Sequence, residues 1–334
     1  MSMKSLSARA EAPVRADARR RPRRLPRRWW VGYLFLAPAL ALFVVLGLYC
    51  VVFSLGLSFV QWDGLSPTWT WVGLDNFTYF LYRDSATADL FRASLLHNFI
   101  LAAVVPISSC LVGLGLALLL NRSGRVARLF RTIYYLPAIC AGVATLYTWQ
   151  LIYQPGGALD GLFRALHLSG LTPYDGWLGT PQLALPAVMV VLVWGGTAAG
   201  AGALTGAPAA MLMYLAGLQT IDREVLEAAQ IDGASGWVRL RSIIWPLLFP
   251  TTVILMILNL DGVIQDYGTT YLLTNGGPAN ATSLVGLQVF NYATQIGNGG
   301  GSGGLGVGAA LGWTLALLTF VLAMLNLRLF RSRT

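Results

Sequence analysis

Six stretches of this 334-residue chain stay apolar for 20 residues or more, at about 31–59, 94–121, 132–153, 185–219, 249–272 and 306–329. A helix needs about 20 such residues to cross roughly 30 Å of hydrocarbon. Inside a bilayer the backbone must satisfy its own hydrogen bonds, so runs of this length become helices. The reading is an all-α integral membrane protein with about six transmembrane helices. Composition agrees: 56% of residues are hydrophobic, 11% are charged, and mean hydropathy is +0.62. A water-soluble domain carries about 25% charged residues.

Charge sets the orientation. Residues 1–30 hold ten Lys or Arg, 122–131 hold four, 220–248 three and the C-terminal end three, so 20 of the 23 lie on one side. The opposite loops, 60–93, 154–184 and 273–305, hold only Arg83, Arg92 and Arg164. Basic residues stay inside, so both termini are expected in the cytoplasm, which requires an even number of spans. Trp62, Trp69, Trp71 and Trp177 fall in the outer loops, as an interfacial aromatic belt requires.

Residues 1–30 read as a disordered basic cytoplasmic tail and 31–330 as the membrane domain. The first apolar run is too long for a signal-peptide core and has no small-residue cleavage site, so it is expected to remain as a span. Arg27, Arg28, Trp29 and Trp30 would anchor it. The fourth run contains GGTAAGAGALTGAP (195–208). Its small residues permit close packing, a broken helix or a re-entrant segment.

Several function classes drop out. Lys4 is the only lysine, so no phosphate-cradling GxxxxGK[ST] loop exists and the chain is not expected to hydrolyse ATP. Cys50, Cys110 and Cys140 sit singly in apolar runs and read as small buried hydrophobes. His97 and His167 are far apart, so no metal site is expected, and no HExxH, GxSxG or acidic cluster suggests a catalytic residue. NFT (76–78) and NAT (280–282) match the glycosylation pattern but carry no weight. No nucleic-acid partner is expected.

The inner loop at 220–248 has internal order. Asp222 can cap a helix, with Glu224 and Glu227 in the first turns, where acids suit the helix dipole. Leu226, Ala229 and Ile231 give it an apolar side, and Gly233 ends it. Ser235 can cap a second short helix through Trp237, Leu240, Ile243 and Ile244, before Pro246 and Pro250 mark the return to the membrane. The product is a cytoplasmic helix–Gly–helix elbow, either a structured connector or a device that docks into a partner's groove.

Glu227-Ala228-Ala229, then Gly233, Ile243 and Pro246, resembles the EAA motif of the membrane subunits of binding-protein-dependent ABC importers. LAGLQTI (215–221) and IDGAS (231–235) strengthen the likeness, while Trp245 replaces the motif's Leu and Asp222 stands where Pro is frequent. WVGLDNF (71–77), LALLLNR (116–122), LFRTIYYLPA (129–138) and YLLTNGGPANATS (271–283) resemble the maltose and glycerol-phosphate branch of sugar permeases.

That resemblance implies an elbow that docks on an ABC ATPase subunit through Glu227, Ala228, Ala229, Asp232 and Gly233. It implies ATP and Mg on that partner and no cofactor on this chain. It also implies a second six-span permease subunit, an extracytoplasmic substrate-binding protein, and a multi-pass place in a bacterial inner membrane.

For the substrate path, Asn259, Asp261 and Gln265 on the fifth span either hydrogen-bond sugar hydroxyls or tie helices together. Asp266 lies nearer the outer end, and Trp149, Gln150 and Trp194 are weaker candidates. An ion-coupled secondary transporter using Asp261 is the alternative, but it leaves the elbow unexplained.

Overall fold

The computed structural model describes residues 29–65, 67–121, 124–139, 142–195, 205–294 and 304–331. The basic tail up to residue 28, Arg122, Cys140 and residues 196–204 of the Gly/Ala-rich stretch lie outside the described residues. The chain divides into two units, Met1–Val52 and Phe53–Thr334.

In the first unit, helix α1 (29–57) starts as Trp29–Leu42, passes through a π-helical turn at Phe43–Leu48 and continues as Tyr49–Leu57 into the second unit. No residue from Tyr33 to Val52 is buried, and the segment Tyr33–Leu57 reaches a mean hydropathy of 2.6. Cys50 is exposed, contrary to the expectation of a buried thiol. A helix that is apolar all round is one that a membrane surrounds, so its side chains need no cover from their own chain.

The second unit opens with strands β1 (Val60–Gln61) and β2 (Thr70–Trp71), paired antiparallel with Val60 opposite Trp71. Helix α2 (Asp75–Thr78) extends through a π turn at Tyr79–Arg83. Then come α3 (Ser85–Leu120), α4 (Arg125–Ile139), α5 (Gly142–Tyr153), α6 (Ala158–Ala165), α7 (Pro181–Gly195), α8 (Gly206–Gln219), α9 (Arg223–Ile231), α10 (Gly236–Ile264), α11 (Gly268–Thr274), α12 (Val285–Thr294) and α13 (Gly304–Arg331). Among the described residues four helices, 33–57, 85–120, 236–264 and 304–328, are long and apolar enough to cross a membrane. The third and fourth apolar runs are each carried by two shorter helices, α4 with α5 and α7 with α8.

Helix ends depart from the hydropathy boundaries where hydrogen-bonding chemistry intervenes. Helix α3 begins nine residues before its apolar run because Asp84 caps it, accepting the Thr87 N–H at 3.2 Å. Helix α10 begins at Gly236 rather than near 249 and ends at Ile264 rather than near 272. The expected second short helix of the elbow is therefore the first turns of α10. Pro246 clashes with the carbonyl four residues back and removes an N–H, which normally breaks a helix. Here a π turn at Leu240–Ile244 precedes it and the helix runs on from Trp245.

Helix α3 is the axis of the unit. Leu101 and Val105 join Leu146, Tyr153, Val188 and Leu192 in one buried cluster. Cys110, Leu114 and Ala117 join Met211, Tyr214, Leu248 and Leu255 in a second. Phe91 joins Phe80, Ile264, Val307 and Leu311 in a third. The α3–α8 crossing is set by small residues: a Cβ added at Gly113 would lie 2.5 Å from Ala210 Cβ and 2.9 Å from the Met211 nitrogen. Backbones this close gain dispersion contact, which substitutes for the hydrophobic drive that lipid removes.

At the end away from the elbow, the Asn76 amide donates to the carbonyls of Ser58 at 2.9 Å and Val60 at 3.0 Å, where α1 gives way to β1. Asn76 is buried, so the NFT match is a structural amide rather than an open acceptor site. The start of α13 abuts the same corner through Leu305 N–H on the Trp62 carbonyl at 3.1 Å.

Candidate functional site

The elbow between α8 and α10 is built from two caps. Helix α9 ends in paired bonds, Ala234 N–H to Ala229 C=O at 2.9 Å and Gly233 N–H to Gln230 C=O at 3.1 Å. That pattern demands a left-handed residue after the C-cap, and Gly233 supplies it at φ +76°. Helix α10 starts on Ser235, whose Oγ accepts the Val238 N–H at 3.3 Å. Asp222 occupies the N-cap position of α9 but makes no side-chain capping bond.

Leu226, Ile221 and Leu240 press the elbow onto the second cluster. Glu227, Ala228, Asp232 and Gly233 are exposed, and among the described residues the two acids have no ion-pair partner. Ala229 departs from the expected docking set: it is 8% exposed and lies beneath the surface. In its place stand side chains that the motif did not flag, Ile231 at 86% and Trp237 at 69% exposure, with Val225 and Val238 beside them. The elbow thus presents an apolar edge with carboxylates at its rim, the make-up of a protein-docking surface.

The residues expected on the fifth span part company. Asn259 is buried. Its Oδ1 accepts the Gly206 N–H at 2.8 Å and its Nδ2 donates to Leu255 C=O at 2.8 Å, so the amide joins α10 to the start of α8. Asp261 and Gln265 lie one turn apart on the exposed face of α10, with the Gln265 amide donating to the Asp261 carboxylate. Gln265 also lines a groove of about 360 Å³ against Gly312, Leu315, Ala316, Thr319 and Phe320 of α13. Asp266, nearer the outer end, is buried and accepts from Thr269 Oγ1 at 2.9 Å.

Gln150 donates to the Leu273 carbonyl at 3.2 Å, while Trp149 stacks on Tyr153 and meets the edge of Trp194.

Two polar constellations escaped the sequence reading. On α3, Ser94 Oγ donates to Ser283 Oγ at 3.0 Å, and His97 Nδ1 donates to the Ser283 carbonyl at 3.0 Å. Asn98 donates to Ile264 C=O at 3.1 Å and accepts Val285 N–H at 3.0 Å. Asn98 therefore satisfies the last carbonyl of α10 and the first N–H of α12 together, groups that helix geometry leaves open. The signal was present as three polar residues at i, i+3 and i+4 on one face at the head of an apolar run.

The second constellation is Asp160, 3% exposed in the first turn of α6. Its Oδ2 accepts Gly156 N–H at 2.7 Å and its Oδ1 accepts the Trp177 indole N–H at 2.9 Å. The Gly156 bond first, then Trp177, outweigh burial, and Arg164 adds to them, holding the carboxyl below the usual carboxylate range.

Residues 109–333 match the family described as binding-protein-dependent transport system inner membrane component. A probable ABC transporter permease protein of Pyrococcus horikoshii is 32% identical over 292 residues, 87% of this chain and 92% of that protein. The trehalose/maltose transport system permease protein MalF of Thermococcus litoralis is 32% identical over 295 residues, 88% of this chain and 90% of that one. In fold, the chain resembles a bacterial ABC transporter involved in import of the acidic polysaccharide alginate. The TM-score is 0.72 at 21% identity, over 91% of this chain and 96% of that one.

Proposed function

The chain belongs to the family of binding-protein-dependent transport system inner membrane components, and on that premise we propose that it is the permease of an ATP-driven importer for a sugar or oligosaccharide. The sugar class rests on relatives such as the trehalose/maltose permease. In this reading the chain crosses a bacterial inner membrane six times with both termini in the cytoplasm. It catalyses no reaction and binds no cofactor. ATP and Mg bind a separate ATPase subunit, a second and different permease chain completes the path, and an extracytoplasmic binding protein delivers the cargo.

The elbow is the coupling element, and its capped, exposed apolar edge is the observation that carries the reading. Ile231 and Trp237 supply buried anchors for an ATPase cleft, and Glu227 and Asp232 at the rim pair with basic groups there. Helix α10 runs unbroken from Gly236 to Ile264, so a push on the elbow is delivered along its axis to Asp261 and Gln265. Closure of the ATPase pair would bias this element between two arrangements, the physical content of alternating access. Asp261 and Gln265, with the groove toward α13, offer acceptors and donors for sugar hydroxyls. Asn259 holds the helix that presents them.

Purification of the tagged chain from native membranes in mild detergent tests this. An ATPase subunit and a second multi-span permease should accompany it. A chain that purifies alone, with a crosslinker at Ile231 capturing nothing, overturns the reading.

A further inference from the structure

One side chain holds both ends of the excursion that follows α10. Asn98 of α3 is 1% exposed. Its Nδ2 donates to the Ile264 carbonyl at 3.1 Å, and its Oδ1 accepts the Val285 N–H at 3.0 Å. Residues 265–284 lie between these two groups, with α11 and the left-handed Asn275, Gly276, Ala279 and Asn280 among them. The closure is tight. Gly286, in the first turn of α12, sits so near the end of α10 that an added Cβ would lie 3.1 Å from the Asp266 carbonyl oxygen and 3.4 Å from that of Gln265. Ile264 and Val285 share the third buried cluster.

We propose that Asn98 is the positioning residue for Gln265, setting the direction in which that side chain meets the sugar. The Ile264 carbonyl belongs to the peptide unit that leads into Gln265, and that unit is planar. Asn98 holds its oxygen, and the Asp261 carbonyl holds its N–H at 3.2 Å. The next unit carries the Gln265 carbonyl, which lies against Gly286. Each residue has only two soft dihedrals, so fixing the planes on both sides of Gln265 fixes where its Cβ points. Gln265 is the C-cap of α10, and helix ends fray. An exposed residue at such a place keeps one orientation only if something outside the helix clamps it. The inference rests on the proposed place of Gln265 in the sugar path. Ser94, one turn earlier on α3, bonds Ser283 and Gln288 instead, which makes it the control.

A nitroxide spin label on Gln265→Cys reports the order of that residue directly. Cys50 and Cys140 are replaced by Ala, and the full transporter is held in phospholipid nanodiscs. With Asn98 in place the spectrum should show an ordered component. Asn98→Leu should lose it, whereas Ser94→Ala should keep it even where its melting temperature falls. Asn98→Ser, too short to reach both groups, serves if Asn98→Leu does not assemble, and the same spectra decide. An ordered component that survives loss of Asn98 overturns the proposal. So does an equal loss of order in Ser94→Ala, the mark of general loosening. The sugar reading fails separately: unaltered uptake in Gln265→Ala removes the sugar from this residue and leaves the clamp standing.

Discussion

Asn259 and Gly206, 53 positions apart, are joined by a 2.8 Å hydrogen bond from the Gly206 N–H to the Asn259 Oδ1. Gly206 opens α8, so its N–H has no partner within the helix, and Asn259 supplies one from α10. Asn259→Leu leaves that N–H buried and unpaired, at a cost of about 1–3 kcal/mol. The variant should insert normally but denature at lower temperature in detergent. Unchanged thermal stability would show that the bond contributes nothing.

At the elbow, Gly233 sits at φ +76° with open space where a Cβ would go. Any substitution there pays about 1–2 kcal/mol in backbone strain and nothing in packing. Gly233→Asp should therefore leave insertion intact while uptake falls and ATP hydrolysis no longer follows substrate. Normal uptake by this variant would remove the elbow from the coupling mechanism.

Ile231 and Trp237 separate docking from folding, since both are largely exposed in this chain. Ile231→Arg should keep expression and thermal stability but lower recovery of the ATPase subunit on purification about tenfold or more, the effect of losing a buried anchor. Equal recovery would place the contact elsewhere on the elbow.

Asp160 makes a pH prediction. Its folded pKa lies below the unfolded value of about 3.9, so its contribution is complete above that value and is lost as pH falls through the folded pKa. Proteolysis of the 154–184 loop should be flat between about pH 8 and 5 in wild type, and uniformly faster in Asp160→Ala, which abandons Gly156 N–H and the Trp177 indole. Acceleration in wild type between pH 7 and 5 would contradict this.

Asp261 and Gln265 are exposed and hydrogen-bond each other, so their loss should not disturb the fold. Asp261→Ala is expected to reduce uptake with little change in thermal stability, whereas Asn259→Leu should show the reverse balance. Uptake that is untouched in Asp261→Ala would move the sugar contacts away from this face.

Much of this was legible in order along the chain. Four of the six apolar runs became membrane-length helices among the described residues, and the spacing from Glu227 through Gly233 to Pro246 marked the elbow, its left-handed Gly and the Ser235 cap. These are local properties: hydropathy is a sum over neighbours, and caps act across three or four residues. Local reasoning failed where two pieces of chain meet. It left open whether Asn259, Asp261 and Gln265 tie helices or face a path, and could not see that Asn259 is buried against Gly206 while the other two face outward. It grouped Ala229 with Ile231 on one apolar side of the elbow, although Ala229 is buried and Ile231 is exposed.

By itself, then, the sequence determined that the chain is a helical membrane protein, which way its charges bias it, and where the elbow lies, because lipid insertion and helix termination are decided within a segment. Only the tertiary structure decided which polar side chains are fastenings and which are free to act. An amide on an apolar helix looks the same in sequence whether or not an open helix end, such as Ile264 C=O or Gly206 N–H, is brought to it from far along the chain.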